Sequence, residues 1–102
     1  MHNIWIADDD EAIRLVLEES LSSAGFKTKS FNSADDLLKN LDKEQPDLII
    51  TDVQMPGMLG YDLLKHINNN YENIPVIVMT AFADMQAAVE SFGGGAFEYI
   101  PK

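Results

Sequence analysis

The chain has 102 residues, enough for one hydrophobic core and too few for two domains. Its 46% hydrophobic and 24% charged content is that of an ordinary globular domain, and seventeen acidic against seven basic side chains give a net charge of -10. That balance argues against direct binding of nucleic acid or an anionic membrane, and the lack of cysteine excludes a disulfide framework or thiolate metal site and suits a reducing cytosol.

In chain order, Met1-His2-Asn3 leads straight into the apolar tetrad "IWIA" (4–7), a strand-like run with nothing of a signal peptide before it. Ile13, Val16, Leu17, Leu21 and Ala24 then fall at helical spacing, and Gly25 supplies a stop. "FKTKSF" (26–31) reads as a polar edge strand. Ser33 with Asp36 three positions on resembles an acidic capping box before Leu37, Leu38 and Leu41. "LIIT" (48–51) is a buried strand, Leu63, Leu64 and Ile67 form a third helical stripe, and "PVIVMT" (75–80) is a further strand. Met85, Ala88, Val89 and Phe92 mark a fourth helix ended by Gly93-Gly94-Gly95, and "AFEYI" (96–100) a fifth strand. No apolar run approaches the roughly 20 residues a membrane helix needs.

Alternating strands and helices with near-continuous apolar strands predict an α/β fold, a doubly wound, five-stranded parallel sheet, for which the flavodoxin-like order 2-1-3-4-5 is taken. Such a sheet normally continues into a fifth helix. The sequence stops at Lys102 without one, so residues 1–102 read as one domain cut from a longer protein.

All strands of a parallel sheet share one C-terminal edge, and ligands bind in the crevice beyond it where the strand order switches. Asp8-Asp9-Asp10 ends the first strand, Asp52 the third, Thr80 the fourth and Pro101-Lys102 the fifth. Gathered carboxylates repel, and one lysine offsets too little, so the edge calls for a divalent cation held by oxygen ligands. Mg²⁺ fits, with Mn²⁺ as a substitute, because it keeps positions for phosphate oxygens. Asp52 then has the chemistry of a nucleophile that forms an aspartyl phosphate, with Mg²⁺, Lys102 and Thr80 each meeting a phosphoryl oxygen. Taken singly, each residue has a plainer role. An acid at a strand end is usually a turn or cap residue, Thr80 a hydroxyl bonded to backbone, Lys102 a solvated cation and Tyr99 a core aromatic. Their joint placement on one edge is what favours the chemistry.

Asp8-Asp9, Asp52 with "MPGM" just after it, Thr80-Ala81 and Pro101-Lys102 together resemble the receiver domain of bacterial two-component response regulators, across the whole chain. "VIVMTAFADMQAAVESF" and "GAFEYIPK" are most similar to the nitrogen-regulation subfamily, receivers that control sigma-54-dependent transcription activators. The resemblance implies that Asp52 is the phospho-acceptor, Asp9 a direct metal ligand, and Asp8 a helper acting through water. It also implies that the Gln54 backbone carbonyl completes the ligands. Asp10 is either a further acid of the site or the cap of the first helix. Thr80 and Lys102 would hold the phosphoryl group, and Tyr99 would swing inward as Thr80 moves. The implied partners are a sensor histidine kinase, the protein's own ATPase and DNA-binding output domain, and a second copy in a homodimer, with no direct nucleic-acid or membrane contact. The implied domain is regulatory rather than an enzyme, and cytoplasmic.

Two positions depart from the family pattern. Leu59 stands where an acid is usual, and Gly93 to Gly95 replace more helical residues, which would loosen the fourth helix. Phe82, two residues after Thr80, is a bulky neighbour expected to hinder water attack on the phosphoryl group. Two other functions compete. A Mg²⁺-dependent phosphohydrolase with an aspartate nucleophile would want a second acid where Gln54 stands, and a cap for which no insertion is long enough. A degenerate receiver serving only as a binding module would not need the full acidic set.

Overall fold

A computed structural model describes residues 2–52, 60–71, 74–80 and 98–101. The expected fourth helix, Gln54, Leu59, Phe82, Gly93 to Gly95 and Lys102 lie outside these residues. Tyr99 is described only through its backbone.

Five strands form one sheet: β1 (Asn3–Ala7), β2 (Lys27–Phe31), β3 (Leu48–Asp52), β4 (Val76–Thr80) and β5 (Glu98–Pro101). Every pairing is parallel, as the alternating pattern predicts, and the order is β2-β1-β3-β4-β5, the expected flavodoxin-like one. Between them run α1 (Glu11–Ser23), α2 (Ala34–Leu41) and α3 (Gly60–Asn70). Both sheet edges are poor templates for a further strand. β2 alternates exposed lysines with half-buried residues, and β5 ends in Pro101, which cannot donate to a ladder.

The period of two along each strand splits the apolar residues into two layers. Trp5, Ala7, Ile49, Val76 and Val78 face α2 and α3, where they pack with Leu37, Leu41, Leu63, Leu64 and Ile67. Ile4, Ile50 and Met79 face the other way, toward Ile13, Leu17 and Leu21 of α1. The first layer is the thicker. No α1 residue is fully buried, whereas the α3 stripe Leu63, Leu64, Ile67 is sealed.

The start of α2 follows its sequence signature, with the Ser33 hydroxyl accepting the Asp36 N–H at 3.3 Å. The end of α1 is a Schellman motif. The Phe26 N–H donates to the Leu21 carbonyl and the Gly25 N–H to the Ser22 carbonyl, both at 3.0 Å. Gly25 has φ +95°, and a Cβ there would meet nothing within 4 Å. The cost of a side chain at this position is therefore backbone strain alone. Gly25→Ala should lower stability by about 1–2 kcal/mol, and Gly25→Asn by less, as read from denaturant midpoints at constant m.

One expectation needs correction. Val16 and Ala24 were expected in the buried stripe of α1, yet Val16 is 63% exposed and Ala24 is an exposed C-cap. At about 100° per residue, Ile13, Leu17 and Leu21 share their inward face with half-buried Arg14 and Glu18, and Val16 lies well round the helix from that arc. Both charged side chains have inward partners. The Glu18 carboxylate accepts from the Ser30 hydroxyl on β2, and Arg14 reaches the end of β1.

Candidate functional site

Strand register builds the site. Ile6 pairs with Ile50 and Ala7 with Thr51, so the next step along both strands brings Asp8 beside Asp52. Both acids keep the parity of Ile4 and Ile50 and so belong to the α1 side of the sheet. Asp8 is 0% exposed and Asp52 7%, while Asp9 is exposed. Carboxylate oxygens of Asp8, Asp9 and Asp52 all lie within 4.8 Å of one another.

The turn that delivers them is held by side-chain to backbone bonds. The Asp8 N–H donates to the Phe31 carbonyl of β2 at 3.1 Å, extending the sheet by one bond. Asp8 Oδ1 accepts the Asp10 N–H, and Asp10 Oδ1 accepts the Ala12 N–H, each at 2.9 Å. Asp10 thereby caps α1, with extended φ −91° and ψ 110°, the plainer of its two roles. The gathered carboxylates are those of Asp8, Asp9 and Asp52.

On the far side of Asp52, β4 contributes Thr80, 3% exposed and one step past Met79, the residue paired with Asp52. Thr80 pairs in turn with Pro101, and Tyr99 with Val78. The Thr51 hydroxyl donates to the Asp52 carbonyl at 3.0 Å, fixing the backbone under the acid.

Two unit charges at this spacing repel by on the order of 3 kcal/mol at an effective dielectric of about 20, less where solvent screens Asp9. Three such groups on one strand-end edge make a strong electrostatic well for a divalent cation. The donor set consists of hard carboxylate oxygens, which suits Mg²⁺ or Mn²⁺ and not a soft thiophilic metal. His2, by contrast, stands at the opposite end of the sheet. Its Nδ1 is 3.6 Å from an Asp47 oxygen that also accepts the Asn3 N–H at 2.8 Å. His66 rests its ring near Tyr71. Neither histidine joins the acids.

Sequence reasoning passed over Arg14. Its Nη1 donates to the backbone carbonyl of Asp8 at 2.5 Å, across the turn that carries the acids. The available signal was a basic residue one helical turn after the cap of a helix led in by three acids.

Comparison with known proteins agrees with this architecture. Residues 4–102 match the model of the response regulator receiver domain. The "DNA-binding transcriptional regulator NtrC" of Proteus hauseri is 47% identical over 100 residues, covering 98% of this chain and 21% of that protein. The protein of the same name from Escherichia coli strain K12 is 43% identical over 99 residues, 97% of this chain and 21% of that one. The chain thus spans about a fifth of the length of these relatives. Among solved structures, response regulator TrrA of Thermotoga maritima, in complex with Mg²⁺ and BeF, superposes with a TM-score of 0.89 at 28% identity, covering 100% of this chain and 87% of that one. The BeF3-activated DrrB receiver domain gives a TM-score of 0.87 at 29% identity, covering 100% and 85%. No helix among the described residues is long and apolar enough to cross a membrane. With a family match over nearly its whole length and relatives this similar, the chain belongs to the response-regulator receiver family, the phospho-accepting domains of two-component signalling.

Proposed function

We propose that Asp52 takes a phosphoryl group from a sensor histidine kinase and that the resulting charge switches a transcription-regulating output domain. The observation that carries this reading is the meeting of Asp8, Asp9 and Asp52 within 4.8 Å at the ends of the two central strands, with buried Thr80 on the strand beside Asp52. Asp52 is the acid best placed to react. It ends β3 at the C-terminal edge of the sheet, and its backbone is tied by Thr51.

In the transfer, an Asp52 oxygen forms a bond to phosphorus as the phosphorus–nitrogen bond of the donor phosphohistidine breaks. The imidazole leaves with that electron pair and takes a proton from solvent. Asp9 and Asp52 would hold Mg²⁺ directly, or Mn²⁺ in its place, with the Gln54 carbonyl as a third protein ligand and Asp8 assisting through water. When bound, the ion would supply charge neutralisation for the carboxylates and the transferring group. Thr80 donates its hydroxyl to one phosphoryl oxygen and Lys102 pairs with another, while Tyr99 turns inward to follow Thr80. Residues 1–102 act as a single receiver unit in the cytoplasm, regulatory rather than enzymatic. The output domain is of the sigma-54 activator kind, with ATPase and DNA-binding parts, and it is engaged as a homodimer. The NtrC relatives support that output, and the TrrA complex with Mg²⁺ and BeF supports the ion.

Incubation of the chain with a small phosphodonor and Mg²⁺ tests the reading. Hydroxylamine-labile label should appear with Mg²⁺ or Mn²⁺ and be absent with a chelator. Turnover of many phosphomonoesters, or no label at any Mg²⁺ concentration, would overturn it. A second readout needs no phosphate. Saturating Mg²⁺ should stabilise the fold by about 2.7 kcal/mol at a hundred times its Kd, seen as a rise in Tm that excess chelator reverses.

A further inference from the structure

We infer that Arg14 is a positioning residue for the acidic turn, setting the cation affinity of the site from the backbone side. The inference rests on the reading of Asp8, Asp9 and Asp52 as the site of a divalent ion. The Arg14 guanidinium donates to the carbonyl of Asp8, which belongs to the peptide unit joining Asp8 to Asp9. That unit is planar, so holding its oxygen fixes the rotation on both sides of it. Those two rotations decide where the Asp9 carboxylate sits relative to that of Asp8. The rest of the turn is already tied. The Asp8 N–H is bonded to Phe31, the Asp8 carboxylate to the Asp10 N–H, and the Asp10 carboxylate to the Ala12 N–H. Arg14 closes the remaining gap in this chain of bonds, at the one peptide shared by two of the clustered acids. The Arg14 N–H also donates to the Asp10 carbonyl at 3.1 Å, so the side chain starts from a point fixed to the same turn.

Arginine suits this task. Its charge is permanent, its planar group holds a defined direction, and its aliphatic stem packs along the helix while the head reaches past it. The side chain is half-buried on the inward arc of α1, beside Ile13 and Leu17, which limits its freedom to leave.

The sign of the effect separates this role from simple electrostatics. A cation near three carboxylates should repel Mg²⁺, so an Arg14 acting only as a charge would weaken binding, and its removal would tighten it. A positioning Arg14 gives the opposite result. In the 102-residue chain, Arg14→Met keeps the stem and removes the donor, and Arg14→Lys restores one charged donor. Calorimetric titration with Mg²⁺ should show affinity about 10-fold weaker in Arg14→Met, recovered in part by Arg14→Lys. Exchange of the Asp10 amide in chelator should quicken in Arg14→Met, a change that requires neither metal nor phosphodonor. Labelling at saturating Mg²⁺ should approach the wild-type rate, so the defect is one of half-saturating Mg²⁺ and not of maximal rate. Unchanged or tighter Mg²⁺ binding in Arg14→Met, with wild type binding normally, overturns the inference and leaves the site reading standing. Absence of Mg²⁺ binding in wild type overturns both. Should Arg14→Met fail to fold, Arg14→Gln, which is uncharged and too short to keep the bond, replaces it: weaker Mg²⁺ binding with quickened Asp10 exchange supports the positioning role, and unchanged or tighter binding overturns it.

Discussion

Asp52→Asn should take up no phosphoryl label under conditions that label the wild type, a fall of at least about 100-fold in rate, while keeping the fold. The amide is nearly the shape of the carboxylate, so the tight surroundings of a 7%-exposed side chain are preserved. What is lost is the anionic oxygen that, on the proposed function, attacks phosphorus. The same substitution removes one of three charges held within 4.8 Å, and relief of that repulsion should stabilise the metal-free protein by on the order of 1 kcal/mol. Mg²⁺ should then raise the Tm of Asp52→Asn less than that of wild type. Mass spectrometry of the intact chain reads the first effect, and paired melts with chelator and with Mg²⁺ read the second. Label at wild-type levels on Asp52→Asn would move the acceptor to another residue. A lower metal-free Tm would show that Asp52 contributes to the fold in a way repulsion does not describe.

Trp5→Ala should be the most damaging single change to stability, costing about 3–5 kcal/mol and lowering Tm by about 12 °C or more. Trp5 lies on a central strand and is 1% exposed. Its ring sits 5.3 Å from that of Phe31 at a 59° tilt. Lys29 lies over it, Nζ 5.5 Å from the ring centroid, and that ammonium also donates to the Asn40 side chain at 3.2 Å. Trp5 thus joins β1 to β2 and to the last turn of α2, and alanine would leave a cavity that three elements border. Trp5→Phe should keep most of the stability, since a smaller ring still fills the layer. Chemical unfolding followed by far-ultraviolet circular dichroism measures both variants. A loss under 1 kcal/mol in Trp5→Ala would mean that the layer collapses around the gap.

The sheet was legible because β3 and β4 are near-continuous apolar runs, which only strands covered on both faces need. β2 was legible for the opposite reason, since its lysines alternate with inward residues as an edge requires. Once the sheet is parallel, its strand ends must share an edge, so Asp8, Asp9 and Asp52 could be gathered from sequence order. The α1 stripe was misread at Val16 and Ala24 because periodicity ranks residues by hydropathy and is blind to specific partners. Arg14 and Glu18 turn inward for a carbonyl and a hydroxyl, and those bonds leave no apolar trace. Asp10 could not be assigned between cap and ligand before backbone angles were known, because both roles ask for an acid at the same place. Arg14 escaped notice for a related reason. Its acceptor is a main-chain oxygen, and every residue has one.

The pairing of β1 with β3 has a consequence for how preparations of this protein behave. Because neighbouring side chains alternate between sheet sides, a molecule in which β3 closed on β1 one notch out of step would swing Asp52 behind the sheet and push Ile49 out of its layer together. A slip of β3 would thus be a structural error and a loss of the acid's position at once. On the proposed function, label should therefore enter only molecules in which β3 is in register.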